Sequence, residues 1–188
     1  MRLILASQSP FRKKALDLLG LKYKVIPSYF DEKSIRDPNP ETLSRKLSEA
    51  KARKIGQKEK DAIIIAADYF IVFDNKIYEK PLGKSEAKQM LKLFSGKSID
   101  NVCSICVYNS KTGKILSAVE HCITKFRELS DFELDDYISR YPVTTFAGAF
   151  DTDGVIRFSD WVKGEPLFVF GLPVSKMILF LRKMGVKA

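Results

Sequence analysis

The chain has 188 residues, 45% of them hydrophobic, with 32 Lys+Arg against 23 Asp+Glu and a net charge of +9. This length can bury a real core as one domain or one two-lobed domain, and no stretch approaches the roughly 20 apolar residues of a membrane span. The first residues also lack the apolar run and small-residue cleavage site of a secretory signal, so the cytoplasm is the expected compartment and no membrane partner is expected.

The positive charge invites a nucleic-acid reading, because polyanions attract basic proteins through counterion release. The lysines are scattered, however. The densest run, Lys51, Arg53, Lys54, Lys58 and Lys60, is interrupted by glutamate and reads as an ordinary solvated surface rather than a duplex-binding face.

Taken in chain order, Leu3 to Ala6 is a short apolar run suited to a buried strand. Ser9-Pro10 reads as a helix N-cap and first helical residue, with Gly20 as the stop and Ala15, Leu18 and Leu19 as the inward stripe. A strand feeding a helix N-terminus leaves backbone N–H groups unpaired and partly positive, so this turn can hold an anion. Arg12, Lys13 and Lys14 add formal charge there. A phosphate cradle and a plain capped helix with a basic face both fit the stretch.

"KYKVIP" is a second short strand, and "DEKSIRDPNP" is a polar loop with two prolines. Glu41 to Ile55 carries Leu43, Leu47, Ala50 and Ile55 at helical spacing and stops at Gly56. "AIIIAAD" is the continuous apolar run of a strand covered on both faces, and Asp74-Asn75 is the turn of a hairpin from "YFIVF" to "KIYEK". A helix follows over Lys84 to Phe94 with Gly96 beyond its end. Two long strands, Asn101 to Tyr108 and Leu116 to Arg127, flank the turn "NSKTGK". Ser130 with Glu133 is a capping box for a helix reaching about Tyr141. The last helix, Val174 to Met184, turns Met177, Ile178, Leu181 and Met184 inward. Strands and helices alternate while hairpins interrupt them, so the expected fold is α/β, a mixed twisted sheet with flanking helices.

Cys103 and Cys106 form a C-x-x-C that His121-Cys122 would complete as four zinc ligands on paper. Strand alternation in "NVCSICVY" sends the two cysteines to opposite faces, so buried free thiols are the simpler reading, and His121 is expected to be a strand residue without a catalytic role.

Ionic groups fall beside strand ends and turns at five places: Ser7 to Arg12, Asp31-Glu32, Lys51, Asp68 and Lys80. Asp68 ends "AIIIAA", which would deliver its carboxylate to the sheet's carboxyl edge, where open α/β sheets bind ligands; a turn-forming aspartate is the plainer alternative. Pro81 fixes the chain's exit and would aim Lys80, unless Lys80 is simply an exposed strand end. Lys51, with Glu49, lies in a charged helix whose exposed face would explain both. Carboxylates with lysines and an arginine are what a magnesium-dependent phosphoryl site requires, although residue types alone do not bring them together.

Taken together, "LASQSP" with Arg12, "DE" at 31–32, "SEAKA" at 48–52, "AAD" at 66–68, "KP" at 80–81, "SGK" at 95–97, "FAGAFDTDG" at 146–154 and "GLP" at 171–173 stand in one order. In that order the chain resembles the Maf family of nucleoside triphosphate pyrophosphatases from end to end. The resemblance implies one domain over residues 1–188 with the inosine triphosphatase-like fold, two lobes around a central cleft. It implies a nucleoside triphosphate substrate cut between the α- and β-phosphates, magnesium as cofactor with manganese able to replace it, and a homodimer. By position, Ser7, Ser9, Arg12, Lys51 and Lys80 would hold the triphosphate. Glu32 and Asp68 would serve the metal and the attacking water, with Asp68 as proton acceptor.

The resemblance also marks three positions for the base. Members acting on thymidine and uridine triphosphates resemble "SPRR" in the first loop, with a Thr after the strand Asp and a Gln in the late loop; here those positions are Phe11, Tyr69 and Asp153. Members acting on N7-methylguanosine triphosphate carry an aromatic at the first and an acid at the third, as this chain does. Guanine offers N–H donors that an ionised carboxylate can accept, and methylation at N7 makes the ring cationic, which favours both Phe11 and Asp153. A cation–π contact of about 0.5–2 kcal/mol and a bidentate base contact of about 1–3 kcal/mol are enough for a clear preference. Three departures accompany this: Tyr69 in place of Gln, Lys13 in place of an Arg, and Ile99 near where many members have a His.

Overall fold

The computed structural model describes residues 1–165 and 168–188. In chain order the elements are β1 (Arg2–Leu5), α1 (Pro10–Leu18), β2 (Lys24–Val25), α2 (Pro40–Gly56), β3 (Ala62–Phe73), β4 (Lys76–Tyr78), α3 (Lys84–Phe94), β5 (Ser98–Asn109), β6 (Ile115–Phe126), α4 (Asp131–Arg140), α5 (Thr152–Phe158), β7 (Ser159–Gly164) and α6 (Val174–Lys183), with short 3₁₀ turns between some of them. The strands are hydrogen-bonded in the order β2-β1-β3-β5-β6-β7, with β4 on β3. β1 runs parallel to β2 and β3, whereas the β3–β4 and β6–β7 pairs are antiparallel. The sheet is therefore mixed, and the fold is α/β as the sequence predicts.

Two compact units divide the chain: residues 1–69, 103–120 and 170–188 form one, and residues 70–102 and 121–169 the other. In the first, β1 and β3 carry apolar side chains on both faces. Leu3, Leu5, Ile63, Ile65 and Ala67 pack with Ala15 and Leu16 of α1 and with Met177 and Leu181 of α6. Ile4, Ala6, Ile64 and Ala66 pack with Ala52 and Ile55 of α2. Burial on both faces is why these strands read as unbroken apolar runs rather than alternating ones.

The first two helices of this unit, α1 and α2, each begin on a cap-proline pair. Ser9 caps α1 and Asn39 caps α2, with Pro10 and Pro40 in the first helical positions. On α1 Ala15 and Leu16 are buried and Leu19 packs partly buried against the same core, whereas Leu18 is 68% exposed, contrary to the stripe expected from sequence. The phase of α2 differs as well. Its buried face is Ser44, Leu47, Ser48, Lys51, Ala52 and Ile55, while Leu43 and Ala50 are only half-buried. Lys51 takes an inward position because the Asp68 carboxylate of β3 pairs with it, while the Ser48 hydroxyl donates back to the Arg45 carbonyl of its own helix.

In the second unit the Asp74-Asn75 turn has φ 49° and 58°, the left-handed pair of a tight hairpin that sets Phe73 opposite Lys76. Phe94 of α3 sits edge-on to Phe73, Tyr78, Phe126 and Phe150 with ring centroids 5.0 to 6.4 Å apart, forming an aromatic core. Gly148 has φ 65°, and a Cβ there would lie 2.9 Å from Ile71 Cγ2, so glycine is required on two counts. The "FAGAFDTDG" stretch runs into α5, capped by Asp151, and then β7; neither element is expected from the sequence.

The capping box of α4 is present: Ser130 Oγ accepts from Glu133 N, and Glu133 Oε2 accepts from Ser130 N at 2.9 Å. Arg127 pairs with the same carboxylate at 2.6 Å, and these donors hold the Glu133 carboxyl down at about 2. A carboxyl depressed by folding stabilises the native state above its unfolded pKa and loses that contribution as pH falls. Glu133→Gln is therefore expected to be less stable than wild type at pH 7, with the gap closing between about pH 4.5 and about pH 2, as thermal unfolding across that range would measure.

Candidate active site

The site grows from the register of β3. Ile63, Ile65 and Ala67 face α1 and α6, so the intervening residues face α2, and Asp68 follows Ala66 onto that side. The strand does not end at Asp68, as the sequence suggests, but continues to Phe73. Asp68 thus lies inside a strand as a buried carboxylate rather than at a turn.

Lys51 meets it from α2. Its ammonium donates to Asp68 Oδ1 and lies 2.8 Å from Glu32 Oε1, with the Lys51 and Asp68 side chains only 9% and 7% exposed. Glu32 opens a 3₁₀ turn capped by Asp31, and its side chain is 56% exposed, so the cluster reaches solvent through this carboxylate. The buried phase of α2, not an exposed charged face, explains Lys51.

Two serines that the sequence did not single out complete the surroundings of Asp68. Ser104 Oγ of β5 accepts the Asp68 backbone N–H at 3.2 Å and donates to the Ser44 carbonyl of α2 at 2.8 Å. A serine inside the apolar run "VCSICV" was the available signal. Asp68 Oδ2 remains buried without a hydrogen-bond partner among the described residues. Burial raises the Asp68 carboxyl above its ordinary range; Lys51 and Arg12 pull against this, and Glu32 adds to it.

The turn between β1 and α1 adjoins this cluster through Arg12. Ser7 Oγ accepts from Ser9 N at 3.2 Å and from Arg12 Nη1 at 3.4 Å, and Ser9 Oγ caps the helix through Arg12 N at 3.4 Å. Arg12 donates from Nη1 to the Ala67 carbonyl and from Nε to the Gly171 carbonyl, both at 2.9 Å. This gives the "GLP" stretch a role: Gly171, at φ 68°, turns its carbonyl to the guanidinium. Burial lowers the Arg12 pKa, opposed chiefly by the charge of Asp68, yet a guanidinium stays protonated.

Ser7, Ser9, Arg12, Glu32, Lys51 and Asp68 therefore belong to one unit, and direct contacts join Ser7 to Arg12 and Lys51 to both Glu32 and Asp68. Phe11 is half-buried beside Arg12 at the start of α1, and Tyr69 is half-buried and follows Asp68 on the opposite strand face. Lys80 and Asp153 belong to the second unit. Lys80 is exposed between β4 and the buried Pro81, and Asp153 is exposed in the first turn of α5.

The cysteines lie elsewhere. Cys103, Cys106 and Cys122 are buried in strands, and burial pushes the thiols of Cys106 and Cys122 up, the latter to about 12, so neither is a ready nucleophile. His121 pairs with Asp100 at 2.7 Å. Among the described residues no three His, Cys, Asp or Glu side chains gather as a metal site.

Comparison with known proteins gives the family. A family model described as "Maf-like protein" matches residues 2–184. The chain is 34% identical over 189 residues to a dTTP/UTP pyrophosphatase of Aquifex aeolicus, covering 100% of this chain and 98% of that one. It is 31% identical over 185 residues to a 7-methyl-GTP pyrophosphatase of Nitrosococcus oceani, covering 97% and 93%. A solved HAM1 protein from Coxiella burnetii is 19% identical with a TM-score of 0.49, covering 97% of this chain and 99% of that one. On the match along nearly its whole length, the chain belongs to the Maf family.

Proposed function

We propose that this protein is a nucleoside triphosphate pyrophosphatase, dependent on a divalent cation, that prefers N7-methylguanosine triphosphate. The observation that carries the reaction class is the buried Asp68 carboxylate, held by Lys51 with one oxygen unpartnered, in a unit that also presents a capped helix N-terminus at Ser9.

The donor set suits magnesium. Mg²⁺ is a hard ion that usually takes one or two carboxylates and lets phosphate oxygens and water fill the rest of its octahedron. Glu32 and Asp68 are the residues that would hold it, and the buried, unpartnered Asp68 Oδ2 is the atom that lacks a partner without it. Manganese accepts the same oxygen ligands. When bound, the ion neutralises phosphate charge and lowers the pKa of bound water.

The chain's own residues do the rest. Ser7, Ser9 and the first turn of α1 face the phosphates, with the positive end of the helix behind them. The Lys51 ammonium has three donors, of which Glu32 and Asp68 use two, and the third serves a phosphate oxygen. Lys80 is assigned to the phosphates by family resemblance. Water attacks the α-phosphorus while Asp68 accepts its proton. The bond from the α-phosphorus to the bridging oxygen breaks, and pyrophosphate leaves with that oxygen, leaving the nucleoside monophosphate. Desolvation makes Asp68 a stronger base than a surface carboxylate.

The base preference rests on side-chain chemistry. An aromatic at Phe11 suits a cationic N7-methylated ring, and an exposed carboxylate at Asp153 accepts from N–H donors that thymine and uracil do not present in the same pattern. Tyr69 departs from that group, and the named relatives divide between the two substrates, so a dTTP/UTP pyrophosphatase is the second reading. The family resemblance also supports a homodimer.

Pyrophosphate release across a panel of nucleoside triphosphates tests the reading. Turnover is expected to be fastest with N7-methylguanosine triphosphate and to vanish on chelation of divalent cations. Turnover confined to dTTP and UTP would overturn the base assignment, and absence of pyrophosphate with every nucleotide would overturn the reaction class. Asp68→Asn keeps the shape of the side chain while removing its basicity; kcat is expected to fall about 10²–10⁴-fold with thermal unfolding still cooperative.

A further inference from the structure

One exposed residue near the first turn is held in a conformation that its type disfavours. Tyr29 has φ 45°, in the left-handed region that bulky residues rarely enter, and it is 76% exposed, so no burial of its ring offsets the strain. Three restraints fix it. Lys54 Nζ donates to the Tyr29 carbonyl, the same ammonium lies 5.9 Å from the ring centroid of the neighbouring Phe30, and Gln8 Nε2 donates to the Tyr29 hydroxyl at 3.0 Å. Gln8 stands between Ser7 and Ser9, in the turn that feeds the N-terminus of α1.

The direction of that last bond matters. A tyrosine hydroxyl has one proton to donate as well as lone pairs to accept with. The Gln8 amide donates to it, which orients the oxygen and leaves the proton unspent, and no acceptor for it is present among the described residues. A strained, exposed aromatic is thus positioned to set a single O–H donor over the Ser7–Arg12 turn. A phosphate oxygen only accepts hydrogen bonds, so it is the complement of that donor.

We propose that Tyr29 is a polyphosphate-binding residue whose hydroxyl, oriented by Gln8, donates a hydrogen bond to a phosphate oxygen held at the Ser7–Arg12 turn. The inference rests on the reading of that turn as the phosphate site. It concerns the phosphates and not the base, so its effect is the same for every nucleotide.

The test uses inorganic tripolyphosphate with magnesium, titrated calorimetrically into the whole protein, beside steady-state kinetics on two nucleoside triphosphates of different base. Tyr29→Phe keeps ring and backbone and removes only the donor. Binding of tripolyphosphate is expected to weaken about ten-fold, the loss of one charge-assisted hydrogen bond, with KM raised by a similar factor for both nucleotides and kcat and melting temperature unchanged. Gln8→Leu, which leaves the hydroxyl free to rotate, is expected to weaken binding by a smaller factor. Equal affinity of wild type and Tyr29→Phe, or no binding by wild type, would overturn the assignment. Wild-type binding of tripolyphosphate without pyrophosphate release from any nucleotide would instead overturn the enzymatic reading and leave this one standing.

Discussion

A lysine ammonium buried between two carboxylates is the constraint from which the rest of the site follows. Removing Lys51 and Asp68 from water carries a desolvation penalty of several kcal/mol per ion, which only close pairing offsets. The pairing fixes the phase of α2 on the sheet, because Lys51 reaches Asp68 only if the helix turns Ser44, Ser48 and Lys51 inward. It also draws the 3₁₀ turn at Glu32 toward the same ammonium. Arg12 then joins the cluster to the first helix and to the segment before α6 by donating to the carbonyls of Ala67 and Gly171. Two cations and two anions result, with Asp68 Oδ2 buried and without a hydrogen-bond partner among the described residues. A cluster that is neutral in itself and short of one ligand suits a divalent cation arriving together with a polyanion.

That arrangement is local in origin. β3 is covered on both faces by apolar residues up to Ala67, and its alternation alone decides that Asp68 faces α2 while Tyr69 faces the other way. A one-residue slip would exchange them and leave Lys51 without its partner. The parallel pairing of Arg2 to Leu5 with Ala62 to Ile65 pins that register, and the Ser104 hydroxyl, bonded to both Asp68 and Ser44, holds strand and helix at the same level.

Helices whose ends carry side-chain signals were legible in the sequence. The helices at Ser9-Pro10 and at the Ser130–Glu133 box start where local chemistry says they should, and α3 spans the expected Lys84–Phe94 although Gly83 gives it no side-chain cap. The inward face of α2 was not legible, because apolar spacing locates a stripe only when the core it faces is apolar, and here Lys51 turns inward to a buried carboxylate with Ser44 and Ser48 on the same face. Asp68 looked like a strand terminator for a related reason: an ionisable residue breaks an apolar run by composition even where the backbone runs on. α5 and β7 were hidden because "DTDG" carries turn-forming residues and "SDWVKG" is largely exposed and lacks clean alternation. The convergence of Arg12, Lys51 and Asp68 was implied by family resemblance, whereas Tyr29 had no signal at all, since a left-handed backbone at a tyrosine is visible only in the fold.

In the proposed enzyme, Glu32 and Asp68 bind a divalent cation beside a polyphosphate resting on the first helix. A crystal structure with magnesium and a triphosphate analogue carrying a non-hydrolysable α-β bridge tests it most directly. The expected result is an ion held by Asp68 Oδ2 and a Glu32 oxygen, with phosphates on the Ser7–Arg12 turn. An analogue bound away from these residues, with Asp68 still engaged only by Lys51, would contradict it.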